Sequence, residues 1–259
     1  MRDDNMLNFV NVVKKYNDVT AVNHVFFQVG AGEVVGLIGA NGAGKTTTIK
    51  LATGYLPLDS GEIWLNDINR STRPVEDSGI AYIPDQPVYY DFMTVSEHLQ
   101  FISAMYPDGE YSVEEIIAKF SLEEQLSKMP HMLSRGNKQK LLLATALLRK
   151  FDLLIADEPF NGLDPKQIRV LKNTLSELKS RNKGILISTH LLDIIELFCN
   201  RYVMIEKGCI IGQGSKTEIA EQFRLDKDLT IEQMYIQIAD DKDRGLGRYE
   251  DNHKDDDSQ

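Results

Sequence analysis

The amino-acid sequence predicts an α/β fold in which a mainly parallel sheet is flanked by helices. Short apolar runs of strand length alternate with longer stretches of helical period, which is the pattern of buried parallel strands joined by helices. Residues 6–14 and 21–29 predict two strands separated only by a polar turn at Asn17, which indicates an N-terminal antiparallel β-subdomain. From Thr94 to about Leu133 the pattern is helical, which predicts an α-helical subdomain inserted between two α/β halves.

The first half of the chain carries three further predicted strands. They are EVVGLIG (33–39), which is apolar enough to be buried on both faces, SGEIWLND (60–67) and IAYIPDQP (80–87). A glycine loop and a helix follow the first of these strands. In the helical subdomain, Thr94 and Glu97 form a capping box, and two short amphipathic helices are predicted at 112–120 and 122–129.

The second half predicts alternating strands and helices. The strands are FDLLIADEP (151–159), GILISTH (184–190) and a hairpin-like pair in VMIEKGCIIGQG (203–214). The helices are 167–182, ended by Gly184, then 191–202, and a small tail made of 217–223 and 230–238. We therefore expect a main domain at 6–215 with the helical subdomain at about 87–140, a helical extension at 216–239 and an acidic, disordered tail at 240–259.

Composition argues against several classes of protein. With 29 basic and 39 acidic residues, and a formal net charge of −10, the chain lacks the basic surplus of a general nucleic-acid binder. Cys199 and Cys209 form no CxxC pair and predict no disulfide framework, which favours a cytoplasmic setting. The segment MRDDNMLNFV lacks the features of a signal peptide, and no apolar run of about 18 residues predicts a membrane span. We expect any membrane role to come through a partner.

The glycine loop after the strand at 33–39 fits the pattern G-x-x-x-x-G-K-[ST], whose backbone N–H groups wrap phosphates. It lies between a strand and a helix, as the pattern requires; the alternative is an ordinary glycine turn that caps a helix. Lys45 is placed to reach the β- and γ-phosphates of a nucleotide, and Thr46 to hold Mg²⁺. The predicted phosphate-binding residues are Gly39, Ala40, Asn41, Gly42, Ala43, Gly44, Lys45, Thr46 and Thr47.

Polar residues of three kinds stand at other strand ends. Asp157 and Glu158 end an apolar strand, where they are either a solvated strand end or the two acids needed by a Mg²⁺ site and a water-activating base. His190 ends the next strand, as a surface residue or as a donor to a γ-phosphate. Tyr16 is either an ordinary aromatic residue or a ring that stacks on adenine.

The stretch HMLSRGNKQKLLLATALL predicts a helix that begins at Ser134 and has an excess of positive charge in its first turns. Arg135, Lys138 and Lys140 lie where the helix dipole is already positive, which costs about a few tenths of a kcal/mol each. The alternatives are a solvated basic turn and an anion bound at the helix N-terminus.

In their order along the chain, these residues resemble the nucleotide-binding subunit of ATP-binding-cassette (ABC) transporters, over roughly residues 6–215. The resemblance rests on Tyr16, GANGAGKTT, Gln86 in YIPDQP, LSRGN, LLIADEP, NGLDP around Asp164, and His190. The IPDQP and SRGNKQ segments look most like exporter-type subunits of bacteriocin-immunity, multidrug and Ecs-like systems. The resemblance implies a P-loop NTPase fold, with ATP and Mg²⁺ bound and ATP hydrolysed.

The resemblance also implies roles for the site residues. In this family two ATP molecules lie between two nucleotide-binding subunits arranged head to tail. Ser134 and Gly136 would then contact the γ-phosphate of ATP held by the loop of the other subunit, which accounts for the positive helix start. The remaining roles would be Mg²⁺ binding by Thr46, Gln86 and Asp157, activation of water by Glu158, support of the γ-phosphate by His190, and communication across the interface by Asp164.

Two residues depart from the Leu-Ser-Gly-Gly-Gln pattern of the family: Arg135 replaces its first glycine and Asn137 its glutamine. Whether two composite sites would hydrolyse ATP equally is therefore left open.

The implied partners are a second nucleotide-binding subunit, identical or not, and a polytopic transmembrane subunit at the inner face of the cell membrane. Tyr89, Tyr90 and Phe92 form either a docking patch for that subunit or a small core beneath the loop. A soluble family member, such as an iron–sulphur assembly ATPase, and a regulatory P-loop switch are the alternatives.

Overall fold

The computed structural model describes residues 5–66, 68–70, 79–86 and 89–243. The strands are β1 (Asn5–Tyr16), β2 (Val19–Gly30), β3 (Val34–Ile38), β4 (Ser60–Leu65), β5 (Ile68–Asn69), β6 (Ile80–Ile83), β7 (Leu153–Asp157), β8 (Gly184–Ser188), β9 (Arg201–Glu206) and β10 (Cys209–Gly214). The helices are α1 (Lys45–Thr53), α2 (Val95–Met105), α3 (Val113–Phe120), α4 (Arg135–Leu147), α5 (Pro165–Ser180), α6 (Leu192–Ile195), α7 (Lys216–Phe223) and α8 (Ile231–Asp243).

The strands form two sheets, and this arrangement confirms the predicted fold class. The smaller sheet is antiparallel, with strand order β2-β1-β4-β5. The larger sheet has order β10-β9-β3-β8-β7-β6, in which β10 alone is antiparallel to its neighbour. Every residue of β3, β7 and β8 is buried, as their continuous apolar sequences predict for strands covered on both faces.

Two hydrophobic cores lie on opposite faces of the larger sheet. Val35 and Leu37 of β3 face the antiparallel sheet and α1, whereas Val34 and Ile38 face the core beneath the other helices. This alternation follows from the two-residue period of a strand. Because β3, β6, β7 and β8 are parallel, their carboxyl ends lie at one edge of the sheet, and the polar residues that follow them meet there.

The helical subdomain begins as predicted but becomes irregular after α3. Thr94 caps α2 in a reciprocal box with Glu97, with hydrogen bonds of 2.7 and 3.3 Å. The helix predicted at 122–129 is wrong, because that segment has only the short 3₁₀ turn Glu123–Gln125. The carbonyl oxygens of residues 126 and 128 instead accept hydrogen bonds from the first N–H groups of α2.

Two helix predictions in the second half also need correction. Gly184 does not end α5; it is the first residue of β8, and the chain reverses at Asn182, whose φ is 63°. The helix predicted at 191–202 shortens to α6, because Asn200 binds both backbone groups of Val34 and so directs the chain into β9.

The C-terminal part described by the structure consists of α7 and α8. Ile231, Met234 and Ile238 are buried on one face of α8, and the helix continues past them to Asp243. Residues 240–243 are therefore helical rather than disordered, and the remainder of the predicted tail lies outside the described residues. Within the described ranges, no helix combines the length and apolar character needed to cross a membrane.

Candidate active site

The glycine loop of residues 39–47, the predicted phosphate-binding loop, joins β3 to α1, and two glycines give it its shape. A Cβ atom on Gly39 would lie 2.3 Å from the carbonyl oxygen of Ile205. Gly44 has a φ of 112°, and a Cβ atom there would lie 2.5 Å from the carbonyl oxygen of Ala21. Only glycine fits these positions, so the loop can lie against β9 and β2 at the same time.

Lys45 directs its ammonium group back into the loop. The side chain is buried and donates to the carbonyl oxygens of Gly39 at 2.7 Å and Ala40 at 3.1 Å. An ammonium group has three N–H donors, so one remains for a phosphate oxygen. Burial lowers the pKa of Lys45, and three carboxylates oppose that shift, those of Glu158, Asp157 and Glu206.

The other residues of the motif run from the turn at 41–44 into the first turn of α1. Ala43 is buried and Thr47 is half-buried, whereas Asn41, Gly42 and Thr46 are exposed. A Cβ atom on Gly42 would have no neighbouring atom within 4 Å. The tip of the loop is therefore open on the side where a ligand would approach.

Asp157 is the last residue of β7 and is almost completely buried, with 1% of its surface exposed. Its Oδ1 atom accepts a short hydrogen bond from the Ser188 hydroxyl, the residue opposite it in the β7–β8 register. Its Oδ2 atom has no hydrogen-bond partner in the structure. Burial raises the pKa of Asp157, and the Ser188 and Thr46 hydroxyls oppose that shift.

The carboxylate of Asp157 is buried and one of its oxygens has no hydrogen-bond partner, so it can act as a ligand to a cation. Mg²⁺ is typically held by one or two carboxylates together with substrate phosphates and water. No cluster of three or more His, Cys, Asp and Glu side chains suited to a metal occurs in the described parts of the chain. A cation at Asp157 would therefore complete its coordination with hydroxyl, amide, phosphate or water oxygens.

Glu158 and His190 are in direct contact. The Glu158 carboxylate lies 2.9 Å from His190 Nδ1 and accepts a second hydrogen bond of 3.3 Å from the His190 N–H. Glu158 has a φ of 50°, in the left-handed region, so the chain turns sharply at this residue. The Glu158 side chain is 12% exposed and that of His190 is 54% exposed, so the pair extends from the sheet edge towards solvent.

Gln86 follows β6, which pairs in parallel with β7 and so ends beside Asp157. Its side chain is exposed. The preceding residue, Asp85, lies close enough for its charge to help raise the pKa of Asp157. The loop that carries Gln86 therefore reaches the same edge of the sheet as the two acids.

Tyr16 ends β1 at the turn into β2 and is 43% exposed, with Lys14 Nζ 5.8 Å from its ring centroid. Its hairpin lies next to the phosphate-binding loop, because Ala21 on β2 contacts Gly44. The ring is thus an accessible aromatic surface on the strand pair that borders the loop.

Ser134 and Gly136 belong to a second group at the start of α4. The Ser134 hydroxyl accepts a 3.3 Å hydrogen bond from the Asn137 N–H, which makes Ser134 the predicted N-cap. A Cβ atom on Gly136 would lie 3.0 Å from the Gly162 carbonyl oxygen, and Arg135 lies across Gly162. The contacts of these residues are with α4, the segment before α5 and the first turn of α5.

Asp164 has a clear local role as the N-cap of α5. Its carboxylate accepts a 2.8 Å hydrogen bond from the Gln167 N–H, and the Asp164 N–H donates a 3.2 Å hydrogen bond to the Gln167 side-chain oxygen. Asp164 is exposed and lies beside the start of α4, because the Gln167 side chain also approaches Gly136.

Two residues beside the site were not predicted from the sequence as part of it. Ser188 begins the S-T-H segment, and its place opposite Asp157 follows once β7 and β8 are paired, so a signal was present. Tyr235 on α8 contacts Ala40 of the phosphate-binding loop across 195 residues, and no motif indicates this contact.

Known proteins are similar to this chain in both sequence and fold. Residues 22–161 match the ABC transporter family. The chain is 32% identical over 239 residues to the ABC-type transporter ATP-binding protein EcsA of Bacillus subtilis strain 168, covering 90% of this chain and 96% of that protein. It is 34% identical over 228 residues to the SkfA peptide export ATP-binding protein SkfE of the same strain, covering 85% and 93%. A solved ATP-binding subunit of an ABC transporter has a TM-score of 0.84 at 35% identity, covering 90% of this chain and 99% of that one.

Proposed function

Because this chain belongs to the ABC transporter family of ATP-binding cassettes, which hydrolyse ATP to power transport, we propose that it is the ATPase subunit of an exporter. The cassette would occupy residues 6–215 and would couple ATP-driven dimer closure to substrate movement by a separate transmembrane subunit. The observation that carries the proposal is the meeting of buried Lys45, buried Asp157 and the Glu158–His190 pair at one sheet edge.

ATP would bind with its phosphates on the loop of residues 39–47 and its adenine ring on Tyr16. The backbone N–H groups of the loop, the N-terminus of α1 and Lys45 supply the positive charge that the phosphates need. The third N–H of Lys45 is available to a β- or γ-phosphate oxygen.

Thr46, Gln86 and Asp157 would hold Mg²⁺, for which the unpaired Oδ2 atom of Asp157 offers a ligand. The cation would neutralise charge on the β- and γ-phosphates. Ser188 keeps the carboxylate of Asp157 in a fixed orientation through its hydrogen bond to Oδ1.

Glu158 would act as the base that orients and polarises the attacking water. Its carboxylate is held by the ring and the backbone N–H of His190, so it is positioned before the substrate arrives. Since Nδ1 of His190 faces Glu158, Nε2 is the ring atom that would face the γ-phosphate. Catalysis then consists of positioning and electrostatic stabilisation.

A second subunit would complete each site. Ser134, Gly136 and the N-terminus of α4 would contact the γ-phosphate bound to the loop of that subunit. The Gln167 side chain, which is paired with the Asp164 N–H, approaches Gly136, so Asp164 lies close enough to respond to the same contact.

An aromatic surface patch would receive the transmembrane subunit. Tyr90, Phe92 and Phe101 are 46%, 73% and 37% exposed, and the Tyr90 ring lies 6.1 Å from Phe92 and 5.6 Å from Phe101. Tyr89 is different, because it is half-buried and donates a hydrogen bond to the Lys138 carbonyl oxygen. The patch follows the loop that carries Gln86, so docking there would affect the position of Gln86 at the proposed Mg²⁺ site. The partner would hold this chain at the inner face of the cell membrane.

The export direction is supported by the likeness to a peptide export ATP-binding protein. Docking through Tyr90 and Phe92 distinguishes this proposal from a soluble assembly ATPase or a regulatory switch, neither of which requires a membrane partner.

Replacement of Glu158 by Gln tests the proposed base. The variant keeps the shape and a hydrogen bond to His190, so ATP binding should be retained while phosphate release falls by about 10²–10⁴-fold. Glu221→Gln, at an exposed position of α7, is the matched control and should retain normal hydrolysis. Near-normal hydrolysis by Glu158→Gln would remove the base from the mechanism.

Affinity capture from gently solubilised membranes tests the partner. The wild-type chain should retain a polytopic membrane protein in stoichiometric amount, and Phe92→Ser should lose it. Leu197→Ser, which alters an apolar residue that is 79% exposed outside the patch, should retain it. Recovery of the wild-type chain with soluble partners alone would contradict the transporter proposal and leave the ATPase chemistry intact.

A further inference from the structure

Tyr235 connects the C-terminal helix to the phosphate-binding loop. Its hydroxyl accepts a 2.9 Å hydrogen bond from the backbone N–H of Ala40 and donates a 2.5 Å hydrogen bond to Glu206 at the end of β9. Tyr235 is half-buried, whereas Ala40 is exposed. One hydroxyl thus joins α8, the first turn of the loop and the neighbouring strand.

The position of Tyr235 is well defined because α8 is anchored on both sides of it. Ile231, Met234 and Ile238 are buried in the core beneath the helices, with 0%, 0% and 2% of their surface exposed. The backbone N–H of Ile231 also donates a 3.2 Å hydrogen bond to the Glu196 carboxylate. Tyr235 therefore reaches the loop from a packed helix rather than from a loose terminus.

Glu206 brings a negative charge close to the predicted phosphate-binding loop. It is one of the carboxylates that act on the Lys45 ammonium group, so it lies within electrostatic range of the phosphate site. Burial, followed by the hydrogen bond to Glu206, raises the pKa of Tyr235 to about 12. The phenol is therefore protonated at neutral pH and remains a donor to Glu206.

We propose that Tyr235 is a positioning residue for ATP binding: its hydroxyl holds the start of the phosphate-binding loop and screens the negative charge of Glu206 from the phosphates. This inference rests on the proposed function of that loop. Two effects contribute to it. The Ala40 bond restricts the loop to one conformation, and the O–H dipole that faces Glu206 offsets part of the repulsion between its carboxylate and a nucleotide.

Tyr235→Phe in the full-length chain removes the hydroxyl and keeps the ring. We expect the KM for ATP and the dissociation constant of ATP to rise about 3- to 10-fold, the range for loss of the hydrogen bond to the loop, while kcat stays within about 2-fold. Tyr202→Phe is the matched control, because its hydroxyl bonds the Glu196 carbonyl oxygen away from the loop. That control should leave both ATP constants unchanged.

A second variant isolates the charge effect. Adding Glu206→Gln to Tyr235→Phe should recover part of the lost ATP affinity, because the unscreened carboxylate is gone. Unchanged ATP affinity in Tyr235→Phe, an equal loss in Tyr202→Phe, or no recovery in the double variant would overturn the inference.

Lys45→Ala, measured in parallel, separates this inference from the proposed function. If Lys45→Ala weakens ATP binding about 10-fold or more and Tyr235→Phe has no effect, only the role of Tyr235 fails. If Lys45→Ala binds ATP normally, the loop is not the nucleotide site and both proposals fail.

Discussion

Asp157→Asn should stabilise the protein at neutral pH while impairing its proposed cation site. Asp157 is 1% exposed, and its Oδ2 atom has no hydrogen-bond partner. Burial penalises the ionised form of this carboxylate, which is why it raises the pKa of Asp157. Asparagine keeps an oxygen that can accept the Ser188 hydrogen bond and removes the buried charge. The free energy of unfolding at neutral pH should therefore rise by about 1 kcal/mol in the absence of nucleotide and metal.

The stabilisation by Asp157→Asn should depend on pH. Burial raises the pKa of Asp157 in the folded state, whereas the unfolded chain releases the proton near pH 4, at about the usual aspartate value. The cost of the ionised carboxylate therefore begins as the pH rises through the unfolded pKa and is complete above the folded pKa. The difference between variant and wild type should grow as the pH rises above 4 and should shrink towards pH 4.

Urea unfolding at several pH values between 4 and 8 measures this effect, and the melting temperature should rise by about 2–4 °C for each kcal/mol. Asp59→Asn is a control of opposite sign. The hydrogen bond from Lys14 lowers the pKa of exposed Asp59, so its replacement should reduce stability at neutral pH. A less stable Asp157→Asn variant, or a gain that is independent of pH, would refute the reasoning.

Three further predictions concern the proposed catalytic groups. His190→Ala removes the ring that holds Glu158 at 2.9 Å, so kcat should fall by about 10²-fold or more with ATP affinity within about 3-fold; normal turnover would argue against that role. Lys45→Ala should weaken ATP binding by about 10-fold or more in equilibrium titration, because a charge-assisted phosphate contact is lost, and unchanged affinity would contradict the loop assignment. Ser134→Ala should weaken ATP-dependent dimerisation, measured by light scattering, more than ATP binding by the monomer. Ser112→Ala removes an equivalent N-cap from α3 and should affect stability alone, by about 1 kcal/mol; equal effects on dimerisation would refute the contact between subunits.

Local chemistry made much of the site predictable. The glycine loop, the strand that ends in Asp157 and the cap at Ser134 each have a short-range physical reason, so their positions follow from a few adjacent residues. The parallel order of β7 and β8 then brings Glu158 and His190 to the same edge. The positions of these residues can therefore be predicted without knowing which residues distant in sequence are in contact.

The features that were not predictable depend on tertiary contacts. α6 is short because Asn200 pairs with Val34, a residue far away in sequence. The segment at 122–129 is not helical because two of its carbonyl oxygens accept hydrogen bonds from the first N–H groups of α2. The bond from Tyr235 to Ala40 spans 195 residues, and helical periodicity places Tyr235 on α8 without indicating which loop it meets.

The proposed contact of Ser134 with the loop of a second subunit has a genetic consequence if that subunit is another copy of this chain. Each copy would then contribute its lysine to one site and its serine to the other. A copy lacking Lys45 and a copy lacking Ser134, each inactive alone, should therefore complement one another, because a mixed dimer rebuilds one intact site from their undamaged halves. With random pairing of equal amounts, about a quarter of all sites would be restored.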